Sequence, residues 1–368
     1  MAAHAGDPMQ ERVTELTAEL VTHRTTASEP AEIEACMDRV AAFFSEAGVP
    51  VERYRHDDVP SLVASFTESK EPEIMLHGHL DVVPAPGRLF TPRIDDGLLY
   101  GRGTADMKGG LAAMMHVLGD VAADGQEPSL AMMVVADEER GGRHGAQYLL
   151  DEVGYRPAFC LTGEPNNLDG YMDIVTQQKG VVQVELTARG ELAHAATPEA
   201  GENAIAKLFG AYPAIEAVFA DADDEWGATV NFGRIRGGEA LNQVPDAATL
   251  ELDIRYPDET DRDEILTRLR RIPDIEVHSL GHGNPVNTDP ADPHVRGLRR
   301  HAERVMGDVD LARKPHTSDL RHFARHGVPG VAFGPEGYGS HEQFEHLVLG
   351  SLAEYQRTLY EFVTGGPY

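Results

Sequence analysis

Met75-Leu76-His77-Gly78-His79-Leu80-Asp81-Val82 is an apolar run that carries His79 and, two residues on, Asp81. That spacing puts two side chains on one face of an extended strand. An imidazole and a carboxylate presented together suit a divalent ion such as zinc or cobalt. Four later segments supply more donors: Gly101-Arg102-Gly103-Thr104-Ala105-Asp106-Met107-Lys108, the pair Glu138-Glu139, Gly163-Glu164-Pro165, and Ser340-His341. Two catalytic ions sit about 3.5–4 Å apart and need a ligand that bridges them. Asp106 is the candidate, because two glycines upstream permit a tight loop and the start of an apolar helix tolerates its charge. Consecutive carboxylates at Glu138 and Glu139 point in different directions, so one can bind metal while the other handles protons. Singly, each has a plainer reading: a helix cap for Asp106, an acidic turn for Glu138-Glu139, a cap or loop carboxylate for Glu164. Five such segments in one chain point to a two-metal hydrolase.

These residues need a scaffold. Asp7-Pro8-Met9-Gln10 opens a helix whose apolar stripe is Val13, Leu16, Leu20 and Val21. A second helix is predicted from Pro30 to Ala47, closed by Gly48. Strands follow near Ser61–Phe66, Ile74–Leu76 and Leu130–Ala136, with a helix over Met107–Val121 between the last two. This order predicts an α/β sheet with its site at the carboxyl ends of the strands. After Lys179 the pattern changes. Val182, Val184 and Leu186 alternate with polar residues, as do Leu250, Leu252 and Ile254, around a helix predicted at Asn203–Ala217; a half-exposed antiparallel sheet is implied. A helix at Asp261–Ile272 and the stretch Gly281-His282-Gly283-Asn284-Pro285 close this middle unit, and a final helix is predicted over roughly Glu345–Val363. The expected organisation is a catalytic metal-binding domain, residues 1–178 and 284–368, with an inserted domain at 179–283.

The chain has 368 residues, 61 acidic against 32 basic, and a formal charge of -29. That excess repels phosphate backbones and anionic lipid, so neither nucleic acid nor membrane is an expected partner. Lysine is confined to Lys70, Lys108, Lys179, Lys207 and Lys314; salt adaptation and a GC-rich genome explain this equally well. Cys36 and Cys160 are expected as free thiols in a reducing compartment. Met1–Gly6 lacks an apolar core, and no apolar run approaches the roughly 18 residues of a membrane span; the expected location is cytoplasmic. The acidic run Asp221–Glu225 reads as a solvated loop.

Over nearly the whole chain these segments resemble the co-catalytic zinc family of acetylornithine deacetylase, succinyl-diaminopimelate desuccinylase, aminoacylase and the glutamate carboxypeptidases. The resemblance implies a zinc-peptidase-like catalytic domain, a mixed sheet flanked by helices, with an inserted α+β dimerisation or lid domain. It implies two divalent ions per subunit, with zinc expected and cobalt possible. His79 and Glu164 would be terminal ligands of one ion, Glu139 and His341 of the other, and Asp106 the bridge. Asp81 would hydrogen-bond His79 and Glu138 would be the general base. His194, in Gly190-Glu191-Leu192-Ala193-His194-Ala195-Ala196-Thr197-Pro198, would reach the active site of the other subunit of a homodimer. Asn242 would lie near the scissile carbonyl and Arg255 would grip a substrate carboxylate. The implied activity is removal of an acyl group from an N-acyl amino acid, in amino-acid metabolism. Alternatives are a metallo-dipeptidase or glutamate-carboxypeptidase-like exopeptidase and, from a different class, a silent metal-binding scaffold. Two departures stand out. Phe344 takes a place where Asn or Asp is expected, and Lys179, in Gln177-Gln178-Lys179-Gly180, resembles general deacylases more than desuccinylases.

Overall fold

Asp7 caps the first helix, Pro8–Thr22, by accepting the Met9 N–H through its side chain, and Pro8 fits the first turn, where no N–H is needed. Val13, Leu16, Leu20 and Val21 are all buried beneath it. The computed structural model describes residues 7–165, 172–220 and 226–366; Met1–Gly6 and the acidic run Asp221–Glu225 lie outside the described residues. The chain divides into two compact units. One holds the residues up to Gln177, Asn287–Lys314 and those from Ser318 onward; the other holds Gln178–Val286 and Pro315–Thr317.

The larger unit is built on a nine-stranded mixed sheet. At its centre Leu130–Val135, Ile74–His79, Phe159–Thr162 and Gly330–Ala332 run parallel to one another. Val51–His56 and Val59–Ser65 extend one side antiparallel. The central strands are buried along their whole length, as expected where helices cover both faces. Leu62, Leu76, Leu111, Met132, Leu161 and Phe333 share one core. A separate four-stranded sheet joins Gly337–Tyr338, His346–Val348, Leu98–Tyr100 and Arg93–Asp95.

The smaller unit is an antiparallel sheet of four strands in the order Thr229–Gly237, Ala247–Tyr256, Gly180–Arg189, Ile275–Gly283. Its two central strands bury alternate residues against helices Ala204–Val218 and Glu259–Arg270.

Three local expectations change. The helix predicted from Met107 starts at Gly109, because Thr104–Lys108 makes a wider turn in which Asp106 (φ -123°, ψ 93°) is not helical; Asp106 is therefore no helix cap. The last helix starts at Leu349 rather than Glu345, since His346–Val348 is drawn out as a strand against Leu98–Tyr100. Val51–His56 is an additional strand with no buried residue, paired with Val59–Ser65. Cys36 and Cys160 are both free and buried. No helix among the described residues is long and apolar enough to cross a membrane.

Candidate metal centre

Three parallel strands deliver the first donors at their carboxyl ends. His79 is the last residue of Ile74–His79, Glu138 and Glu139 form the turn after Leu130–Val135, and Glu164 follows Phe159–Thr162. Glu164 can sit close to the helix starting at Gly109 because residue 110 is glycine: a Cβ there would lie 2.3 Å from the Gly163 carbonyl oxygen. Lys314 Nζ anchors the same loop by donating to the Pro165 carbonyl at 3.0 Å. Asp106 comes from the turn before the helix, and His341 from a loop where it adopts φ +67°.

Two donor sets result, His79 with Glu138 and Glu164, and Asp106 with Glu139 and His341. They meet at Asp106: its Oδ1 is 3.2 Å from His79 Nε2, and its Oδ2 is 3.5 Å from His341 Nε2. His79 Nε2 is also 3.3 Å from Glu164 Oε1, yet it is buried with no aligned hydrogen-bond partner. His341 Nε2 lies 3.1 Å from Glu139 Oε2. Buried carboxylates this concentrated call for cations, and mixed imidazole and carboxylate donors suit zinc or cobalt.

Asp81 faces His79 with both its backbone carbonyl and its carboxylate. His79 Nδ1 hydrogen-bonds the Asp81 backbone carbonyl at 3.0 Å, with the carboxylate Oδ1 further off at 3.5 Å. The same Asp81 carboxylate also accepts the N–H groups of Glu138, at 3.2 Å, and Glu139, at 3.1 Å. The strand ends at His79, so Asp81 turns toward the neighbouring strand's exit loop.

Electrostatics follow from this crowding. Burial works against a charged His79, but the carboxylates of Asp106, Asp81 and Glu164 outweigh it and raise its pKa well above the usual value. Asp106 is lowered to about 2 because His79 overrides its own desolvation. Glu138 is raised well above the ordinary range by burial and by the Asp319 carboxylate. Glu139 is raised by burial, with His341 opposing.

Several contributors were not singled out from sequence. Glu345, buried, accepts the N–H groups of Ala105 and Asp106 and pairs with buried Arg102; from sequence it is only the start of the predicted last helix. Asp319 is fully buried against His77 Nε2, at 3.4 Å, and near Arg321. The signal for such residues was a charged side chain inside or beside an apolar or glycine-rich stretch.

The remaining candidates belong to the smaller unit. His194 pairs in a two-stranded ladder with Gln243, and its Nδ1 accepts the Ala196 N–H at 3.1 Å. Asn242 is beside it, its carbonyl accepting the Ala195 N–H, and both His194 and Asn242 are exposed. Arg255 forms a two-pronged contact with Asp253 and reaches Thr317 Oγ1. Lys179 donates to the Gly227 carbonyl and lies over the Trp226 ring. Phe344 is exposed.

A model of peptidase family M20/M25/M40 matches residues 75–365. The chain belongs to this family. A succinyl-diaminopimelate desuccinylase of Stenotrophomonas maltophilia is 30% identical over 92% of this chain and 95% of its own length. One of Alkalilimnicola ehrlichii is 29% identical over 95% and 97%. Among solved structures, aminopeptidase PepT of Bacillus cereus superposes with TM-score 0.76 at 22% identity, covering 96% of this chain and 98% of that one. A dinuclear metal binding peptidase from Bacillus subtilis gives 0.73 at 14%, covering 96% and 97%. The M20 relatives of this chain are thus deacylases and metallopeptidases, and the mixed α/β fold is theirs.

Proposed function

We propose that this M20 chain is a two-metal amidohydrolase that removes the acyl group from an N-acyl amino acid. The observation that carries the proposal is Asp106, whose two carboxylate oxygens face two different histidines, His79 and His341. In this reading His79 and Glu164 would hold one ion, Glu139 and His341 the other, and Asp106 would be shared by both. Zinc is the expected metal, with cobalt a working substitute. Bound there, two divalent ions would supply Lewis acidity and lower the pKa of a water toward neutrality.

The chain's own residues do the rest. Glu138 takes the proton of the attacking water; its raised pKa, from burial and the Asp319 charge, fits a group that must first accept a proton and then return it to the leaving amine. Asp81 supports that base through the Glu138 N–H. The partner subunit's His194 would stabilise the oxyanion, and Asn242 would orient the carbonyl. Arg255 would bind the substrate carboxylate once it exchanges part of its hold on Asp253. A homodimer is supported by the smaller unit, where Phe209 and Tyr212 on a helix and Ile235 on the edge strand Thr229–Gly237 are exposed apolar residues. Cytoplasmic location is part of the same proposal.

Exopeptidase activity is the second reading, favoured by the peptidase neighbours. Hydrolysis of acetylornithine, succinyl-diaminopimelate and a set of dipeptides separates the two. Glu138→Ala tests the chemistry: turnover falls by at least about 10²–10⁴-fold while bound metal is retained. Near-normal turnover in that variant removes Glu138 as the base.

A further inference from the structure

We propose that Glu345 and Arg102 are positioning residues that lock the Asp106 turn to the His341 loop, setting the distance between bridging and terminal ligands; this rests on the two-ion reading above. Glu345 is 1% exposed and Arg102 3%. Glu345 Oε1 accepts the backbone N–H groups of Ala105 and Asp106, each at 3.1 Å. Its Oε2 pairs with Arg102 Nη1. Arg102 Nη2 in turn donates to the Glu342 carbonyl at 3.2 Å, next to His341. The Gly101 N–H donates to the Glu345 carbonyl at 3.2 Å, and the ladder continues with Tyr100 opposite His346 and Leu99 opposite Leu347.

The two loops lie some 240 residues apart in the chain. Asp106 is outside the following helix, so its N–H and that of Ala105 have no helical acceptor to fall back on. One carboxylate satisfies both and fixes the turn that aims the Asp106 side chain. Arg102 then ties the same carboxylate to the residue after His341. A buried ion pair is costly to desolvate and a weak source of stability. Here its effect is geometric: it couples one ligand to another.

The experiment titrates Co²⁺ into the metal-free protein, following stoichiometry, affinity and the visible d–d spectrum, alongside the melting temperature of each metal-free variant. Wild type takes up two ions. Arg102→Met/Glu345→Leu replaces the pair with apolar groups and binds the second Co²⁺ about 10–100-fold more weakly, with an altered spectrum, while the first ion is little affected. Glu345→Gln keeps an acceptor oxygen for the two N–H groups and falls between. If the double variant fails to fold, Glu345→Gln and Arg102→Lys decide, each expected to weaken the second ion selectively. Variants that melt lower yet bind both Co²⁺ with wild-type affinity and spectrum overturn the proposal. A wild-type chain that never takes a second Co²⁺ overturns the two-ion reading instead, before any variant is made.

Discussion

Asp81→Asn separates two roles for a carboxylate beside a histidine. If Asp81 acted mainly through the imidazole, the change would disturb His79 first. The structure gives the shorter His79 Nδ1 contact to the Asp81 backbone carbonyl, which the substitution keeps, leaves the carboxylate 3.5 Å from that nitrogen, and gives the carboxylate oxygens their closer contacts with the N–H groups of Glu138 and Glu139. Asparagine has one acceptor oxygen for those two donors, and its amide NH₂ opposes the second. One hydrogen bond to a charged acceptor is lost and one partly buried donor is left without a partner, about 1–3 kcal/mol, or roughly 5- to 150-fold in the local opening equilibrium. Hydrogen–deuterium exchange of the metal-free protein reads this directly: a peptide spanning residues 137–141 exchanges faster by that factor, while peptides of the strand Ile74–His79 do not change. In the metal titration, the ion assigned to Glu139 and His341 weakens more than the ion assigned to His79 and Glu164. Unchanged exchange over 137–141, or a loss centred on the His79 strand, refutes the argument.

Hybrid dimers test the partner's His194. Mixing equal amounts of His194→Ala and Glu138→Ala and allowing subunits to exchange leaves roughly a quarter of all sites intact in a symmetric dimer, so activity returns toward that level from near zero; no recovery, with exchange demonstrated by differently tagged subunits, removes the trans assignment. Asp137 gives a pH test. Burial and the Asp319 carboxylate raise its pKa from 3.8 to about 7, so the folded metal-free chain keeps a proton that the unfolded chain has released. Its contribution is fully present below the unfolded value and is lost as pH rises through about 7, with a slope of up to about 1.4 kcal/mol per pH unit between the two values. Asp137→Asn keeps an acceptor for the His144 N–H and removes this slope. The difference between urea midpoints near pH 5 and pH 8 should therefore shrink in the variant, the raised Glu138 and Glu139 leaving a remainder, and a wild-type difference that is unchanged in the variant sinks the account.

The elements that bear the site were largely legible. Capping at Asp7, the alternation of Val182, Val184 and Leu186, and the apolar run into His79 each depend on neighbouring residues alone, and strand or helix follows from their period. The alternation of the two stretches implied a half-exposed antiparallel sheet, and the structure pairs Gly180–Arg189 with Ala247–Tyr256 within it. The errors cluster where backbone is irregular. Thr104–Lys108 departs from the helix that its composition suggests, and Glu345 has no local feature separating a helix start from a buried anchor.

Residue chemistry and local spacing determined which side chains are candidates for the site: His79, Glu138, Glu139 and Glu164 after strands, Asp106 and His341 in loops, all legible from type and context. Tertiary structure alone decided how they face. Which oxygen of Asp106 turns to which histidine, and that the Asp81 carboxylate supports Glu138-Glu139, depend on hydrogen bonds between segments distant in the chain. So does the clamp of Glu345 and Arg102 on two ligand loops. Periodicity reports the burial of a face. The direction of a loop is set by whichever remote donor or acceptor satisfies its backbone, and that partner carries no signature within the loop itself.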